Sequence, residues 1–130
     1  MEKQKQTQQT KASKNQNEDL LNGMNKELRE VTLFFSSNKY IDLNKLNKKN
    51  IEESAKKAIE DSIKDKFHSL TEIFSELRKT GKDLGVLNYK LMIIPLKIKI
   101  FIATFEKKDA ENLLNKIENI EKELNLTKKN

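Results

Sequence analysis

Residues Leu91 to Phe105, LMIIPLKIKIFIATF, gather apolar side chains in a chain that is otherwise sparse in them. Over 130 residues, hydrophobic and charged side chains each make up 35%. A core built from so little must be small, and this segment has to anchor it. Any apolar surface in excess of the core is expected here too. The segment is too short to cross a bilayer: at ~1.5 Å per residue it reaches about 22 Å, against a hydrocarbon core of roughly 30 Å. Lys97, Lys99 and Pro95 in its middle worsen the fit. A pore-forming or interfacial role is a lesser alternative.

Its periodicity reads two ways. Leu96, Ile98 and Ile100 alternate with Lys97 and Lys99, which is a strand signature. Leu87, Leu91, Ile94, Ile98, Phe101 and Phe105 recur at 4, 3, 4, 3 and 4, which is helical. No neighbouring run is suited to pair with a strand, so a helix is predicted over 87–107, kinked at Pro95.

The rest of the chain is also helical in pattern. A first helix is expected from Glu18 to Phe35, with Leu20, Met24, Leu28, Val31 and Phe35 on one face and Leu21 and Phe34 widening it. Residues 38–49 read as a loop pinned by Tyr40, Ile41, Leu43 and Leu46. A second helix follows, opened by Asn50 and Glu53 in a capping-box pattern. Ile51, Ala55, Ala58, Ile59, Ile63, Phe67, Leu70, Phe74 and Leu77 form its apolar face, and Gly81 stops it. Its length makes a bend or break near Ser69 an expectation. The fourth helix, Asp109 to Leu126, carries Ala110, Leu113, Ile117, Ile120 and Leu124 at strict 3-4-3-4 spacing, with Asp109 as its cap and residues 127–130 as a basic frayed end. Only 3 Gly and 1 Pro are present, too few for the tight turns of an antiparallel β protein. The expected fold is all-α: an antiparallel four-helix bundle over residues 18–130, preceded by a flexible, disordered polar tether over residues 1–17. The tether has no apolar stretch of the kind a signal peptide needs.

Catalytic patterns are weak. The chain has no cysteine, so disulfide, thiolate and zinc–thiolate chemistry is excluded. His68 is the only histidine; Asp65 and Glu72 stand three and four residues from it, a spacing common on charged helices. One histidine cannot supply the Glu-x-x-His pair of a di-iron bundle. Glu52, Glu53, Glu60, Asp61 and Asp65 read as a solvated face alternating with Lys56, Lys57, Lys64 and Lys66. Thr80-Gly81-Lys82 lacks the rest of a phosphate-binding loop. The sequence therefore points to no enzyme, no cofactor and no metal.

The net charge is +6 and the isoelectric point about 9.4. In residues 1–17, Lys3, Lys5, Lys11 and Lys14 face Glu2 alone. Residues 78–108 are strongly basic, opposed only by Asp83 and Glu106, while residues 109–126 are acidic; the two stretches are expected to neutralise one another as neighbours. Nucleic-acid binding fits poorly. Arg29 and Arg78 are the only arginines, and the few aromatics fall mostly on core faces, so neither base readout nor stacking is provided.

In overall style the chain resembles the helical outer-surface lipoproteins of Borrelia spirochaetes. The resemblance rests on the polar stretch KQKQTQQTKASKNQNEDL, on LNKLNKKNIEESAKK and NLLNKIENIEKELN, and on Lys/Asn/Ile richness throughout. It implies a lipidated cysteine, then a tether, then a helical bundle that binds host complement or matrix proteins. The missing cysteine departs from that pattern and is accounted for if Met1 replaces it. On this reading the protein is lipid-anchored on the bacterial surface and touches the membrane only through that upstream anchor. Its contact patch is expected around Arg78, Lys82, Lys97 and Lys99, although Lys97 and Lys99 suit snorkelling from a buried helix better than direct contact. The alternative is an intracellular scaffold or a non-specific nucleic-acid-associated protein, and self-association through the fourth helix is a further option. A signal peptide ending in Cys in the unprocessed gene product would decide for the surface.

Overall fold

The computed structural model describes residues 20–129, and every regular element among them is helical. The chain is all-α. The tether expected over residues 1–17 lies outside the described residues. Among the described residues four complete α-helices follow in order: α1 (Lys26–Ser37), α2 (Ile51–Lys79), α3 (Gly85–Thr104) and α4 (Lys107–Lys129). Two single-turn 3-10 segments, Leu43–Lys45 and Lys48–Asn50, precede α2. The chain divides into two compact units, one ending at Ile59 and one beginning at Glu60.

In the first unit the helix expected from Glu18 to Phe35 is interrupted. Residues 20–22 are helical, the chain breaks at Gly23, and α1 restarts at Lys26. Asn25 causes the restart: its backbone is extended and its Oδ1 accepts from the Leu28 amide at 2.8 Å, an N-cap. The Glu52 carboxylate accepts from the Asn25 amide at 3.1 Å. Gly23 allows a close approach, since a Cβ there would lie 3.0 Å from Ile51 Cγ2. Both residues were visible in the sequence but lay inside an unbroken apolar periodicity.

The end of α1 is a complete Schellman motif. The Tyr40 amide donates to the Phe35 carbonyl at 2.9 Å and the Lys39 amide to the Ser36 carbonyl at 3.0 Å. The rings of Phe35 and Tyr40 meet edge-on at 5.7 Å, supplying the apolar contact that accompanies this motif. Lys39 holds the left-handed position, with φ 63°. Beyond it the expected loop is partly ordered into the 3-10 turns. Asp42 and Asn47 cap them, and Ser54 Oγ accepts from the Asn47 amide at 2.9 Å. Leu43 and Leu46 are buried as expected, while Tyr40 and Ile41 are half-buried. Leu20, Leu21, Met24, Leu28, Val31, Phe35, Ile51, Ala55 and Ile59 are also buried, and so is the hydroxyl-bearing Thr32.

Helix α2 runs 29 residues without the break expected near Ser69. A serine costs a helix interior only about 0.5 kcal/mol, and Leu70, Phe74 and Leu77 around it remain buried. Gly81 follows the helix with φ 82°, the stop that its position suggested.

In the second unit α3 and α4 form an antiparallel hairpin joined by two residues. Asp83 Oδ1 accepts from the Gly85 amide at 3.1 Å, so α3 starts two residues before the expected Leu87. It ends at Thr104 rather than Lys107, because Phe105 turns left-handed at φ 47° and donates its amide to the Phe101 carbonyl at 2.6 Å. The Phe101 and Phe105 ring centroids lie 4.7 Å apart, which holds that turn. Helix α4 then opens at Lys107, ahead of the expected cap Asp109. Asp109 sits in the first turn and accepts from Thr104 Oγ1 at 2.6 Å. The residues expected to fray continue the helix to Lys129, with Lys82 Nζ donating to the Thr127 carbonyl at 2.5 Å. Ala110, Leu113, Ile117, Ile120 and Leu124 are all buried, joined by Leu87, Leu91, Ile94, Ile98 and Phe101 of α3.

Two substitutions test this account by urea denaturation. The Thr32 side chain is fully buried and its hydroxyl has no hydrogen-bond partner among the described residues. Thr32→Val is expected to raise stability by about 1 kcal/mol, since an unmet polar group is removed without a change of shape. A loss would show that the hydroxyl is satisfied. Lys39→Gly is expected to gain about 0.5–1 kcal/mol by relieving the left-handed backbone; no gain would place the strain elsewhere.

Candidate interaction surface

Helix α3 is apolar on two opposite sides. One side carries the buried Leu87, Leu91, Ile94, Ile98 and Phe101. The other carries Val86, Tyr89, Met92, Leu96 and Ile100, which are 71, 69, 68, 58 and 41% exposed. Their 3, 3, 4, 4 spacing keeps them on one face of the helix. From Val86 to Ile100 the stripe is about 21 Å long at ~1.5 Å per residue. Large exposed apolar patches mark protein or membrane interaction sites and ligand-binding grooves.

Lysines border the stripe. Lys90 and Lys97 lie along one edge and Lys99 along the other, and α3 contains no acidic residue. On the Lys90 edge the surface dips into a groove of about 280 Å³ between α3 and α4, lined by Ile93, Ile120 and Leu126 with Lys90, Lys116, Asn119, Lys122 and Glu123. Lys90 Nζ meets Glu123 Oε1 at 2.5 Å across it. Lys66 of α2 meets Glu121 Oε2 at 2.5 Å. Among the described residues the expected neutralisation between the basic and acidic stretches is seen in the pair of Lys90 with Glu123, while Glu121 is paired from α2.

The four residues expected to form a contact patch are spread over α2, the connection after it and α3. Arg78 is exposed in the last turn of α2. Lys82 is half-buried, with its ammonium on the Thr127 carbonyl, where a cation complements the end of α4. Lys97 is half-buried and Lys99 exposed, on opposite edges of the α3 stripe. Only this last pair borders the apolar face. The face itself was only partly foreseen: the spacing of Val86, Tyr89, Met92, Leu96 and Ile100 was open to reading as a second stripe beside the core stripe.

His68 is exposed on α2. Its Nε2 lies 3.1 Å from Glu72 Oε1, with both side chains largely exposed. Among the described residues no group of three His, Asp or Glu side chains is placed to hold a metal ion. No described helix is long and apolar enough to cross a membrane. The α4 seam is buried, so self-association through it would require α4 to leave α3.

No protein-family model, curated protein or solved structure matches this chain.

The exposed stripe and the ion pair beside it should behave differently in stability measurements. The Lys90 and Glu123 side chains are 44% and 39% exposed. A double-mutant cycle to alanine is therefore expected to give a coupling below about 1 kcal/mol. Leu96→Ser should cost less than about 0.5 kcal/mol. A larger loss at Leu96 would mean that the stripe is covered within the folded protein.

Proposed function

We propose that this chain is a non-catalytic helical module that binds another protein through the outer face of α3. In this reading its four helices form an antiparallel bundle, which their short connections permit. The module is an outer-surface lipoprotein part of the kind its sequence resembles, carried on an upstream lipid anchor, with a host complement or matrix protein as partner.

The observation that carries the reading is the lysine-bordered apolar stripe of α3. The internal packing of α3 uses Leu87, Leu91, Ile94, Ile98 and Phe101, so Val86, Tyr89, Met92, Leu96 and Ile100 do nothing for the core that an equal row of polar residues would not do better. Apolar residues on an outer face reduce solubility, and a partner is the physical reason to keep them. Tyr89 and Met92 suit such a role, since each offers large contact area and an adaptable end.

The experiment is capture from host serum by the full chain, identification of the retained protein, and titration of that protein against Lys97→Glu/Lys99→Glu. The double variant is expected to bind at least about tenfold more weakly, because both edges of the stripe reverse sign. Unchanged affinity would remove the α3 face as the contact, and retention of no serum protein would remove the host reading.

A further inference from the structure

We infer that the groove between α3 and α4, together with the α3 stripe, receives an amphipathic helix of a protein partner whose apolar face is flanked by Asp or Glu. This deepens the protein-binding reading above and rests on it, but it does not depend on the partner coming from a host.

Shape supports a helix. The surface is a groove between two antiparallel helices continued by a stripe about 21 Å long, the length of roughly fourteen helical residues at ~1.5 Å each. Two packed helices present a valley into which a third lays its apolar residues at i, i+3, i+4 and i+7. The groove volume of about 280 Å³ is enough for a few such side chains to enter beside Ile93, Ile120 and Leu126.

Charge selects among occupants. Lys90 stands on the α3 side of the groove, and Lys116 and Lys122 on the α4 side. Lys90 pairs with Glu123, the single acid lining the groove, so Lys116 and Lys122 carry its net positive charge. A second copy laid face to face would oppose lysine with lysine. Residues 1–19 of the chain offer only Met1 and Ala12 as apolar groups, and their own lysines, so they cannot fill the site. A bilayer is flat, whereas here the apolar floor lies between lysines on two walls. An acidic-flanked helix satisfies both the floor and the rim.

The probe is a synthetic eighteen-residue peptide with leucines at helical spacing flanked by glutamates, and a control with every glutamate replaced by lysine. Both are titrated by fluorescence anisotropy against the full chain, against Lys116→Glu/Lys122→Glu and against Leu96→Asp, with circular dichroism to confirm that each variant is folded. The glutamate peptide is expected to bind the unmodified protein at least about tenfold more tightly than the lysine peptide. The preference should invert on the charge-reversed variant, and Leu96→Asp should weaken both. Equal affinity for the two peptides, or none, overturns the inference. So does binding of phosphatidylglycerol vesicles without peptide binding, which would assign the face to a lipid surface. A dimer abolished by Leu96→Asp would assign it to a second copy. Peptide binding with no serum ligand would leave the groove standing and remove only the host partner.

Discussion

The burial of one side of α3 against α4 is the constraint on which the second unit depends. Leu87, Leu91, Ile94, Ile98 and Phe101 meet a seam of Ala110, Leu113, Ile117, Ile120 and Leu124 that has no exposed member. Removing a large aliphatic side chain from such a site costs about 2–5 kcal/mol. That is a large share of the stability of a domain of this size. No exposed ion pair comes near it. The two-residue connection at Phe105 and Glu106 makes the pairing local in sequence, so the hairpin closes with little loss of loop entropy. Phe105 accepts a left-handed backbone to keep the connection that short, and its ring contact with Phe101 offsets part of the strain.

Pro95 fits this arrangement because of where it lies. It removes one amide donor from the middle of α3, yet the helix continues for nine residues beyond it. Pro95 itself is exposed, so its ring does not intrude on the buried side of α3. The buried Leu91, Ile94 and Ile98 on the other side hold the helix together through the interruption. Packing, not helix propensity, determines the continuity of α3, as it does for most helices in folded proteins.

Most of the fold was legible in the sequence because its signals are periodic. The α4 seam, the inner face of α3 and the α2 face were read residue by residue from 3-4 spacing, and nearly all of these residues are buried. The readings that failed depended on single residues acting against a period. Asn25 starts a new helix inside a continuous apolar repeat, since one N-cap and the approach of Glu52 outweigh the periodicity. Lys39 occupies a position that glycine would advertise, so the Schellman turn left no trace in the composition. Thr104 and Asp109 share a hydrogen bond across a connection whose two boundaries the spacing placed three and two residues late. The proposed contact surface was less legible still. Charge alone suggested Arg78 and Lys82, but Lys82 serves the end of α4, and the apolar stripe between Lys97 and Lys99 was hidden because the whole segment is apolar.

That apolar excess is itself an argument about partners. A helix buried on one side needs about half its surface to be apolar, and α3 carries far more. Were the outer residues merely tolerated, they would be scattered and interrupted by lysine or glutamate, as on the outer faces of α2 and α4, where Lys56, Lys57, Asp61, Lys64 and Asp65, or Glu111, Glu118 and Lys122, are exposed. On α3 the lysines fall at the borders and leave the centre to Tyr89, Met92, Leu96 and Ile100. Lysine stems add apolar area at such borders while their ammonium groups stay in water. The arrangement repels a second copy of itself at short range and attracts acidic surfaces at long range. In the proposed reading the charge pattern would favour acidic partners before any contact is made, and the apolar stripe would then set how long they stay.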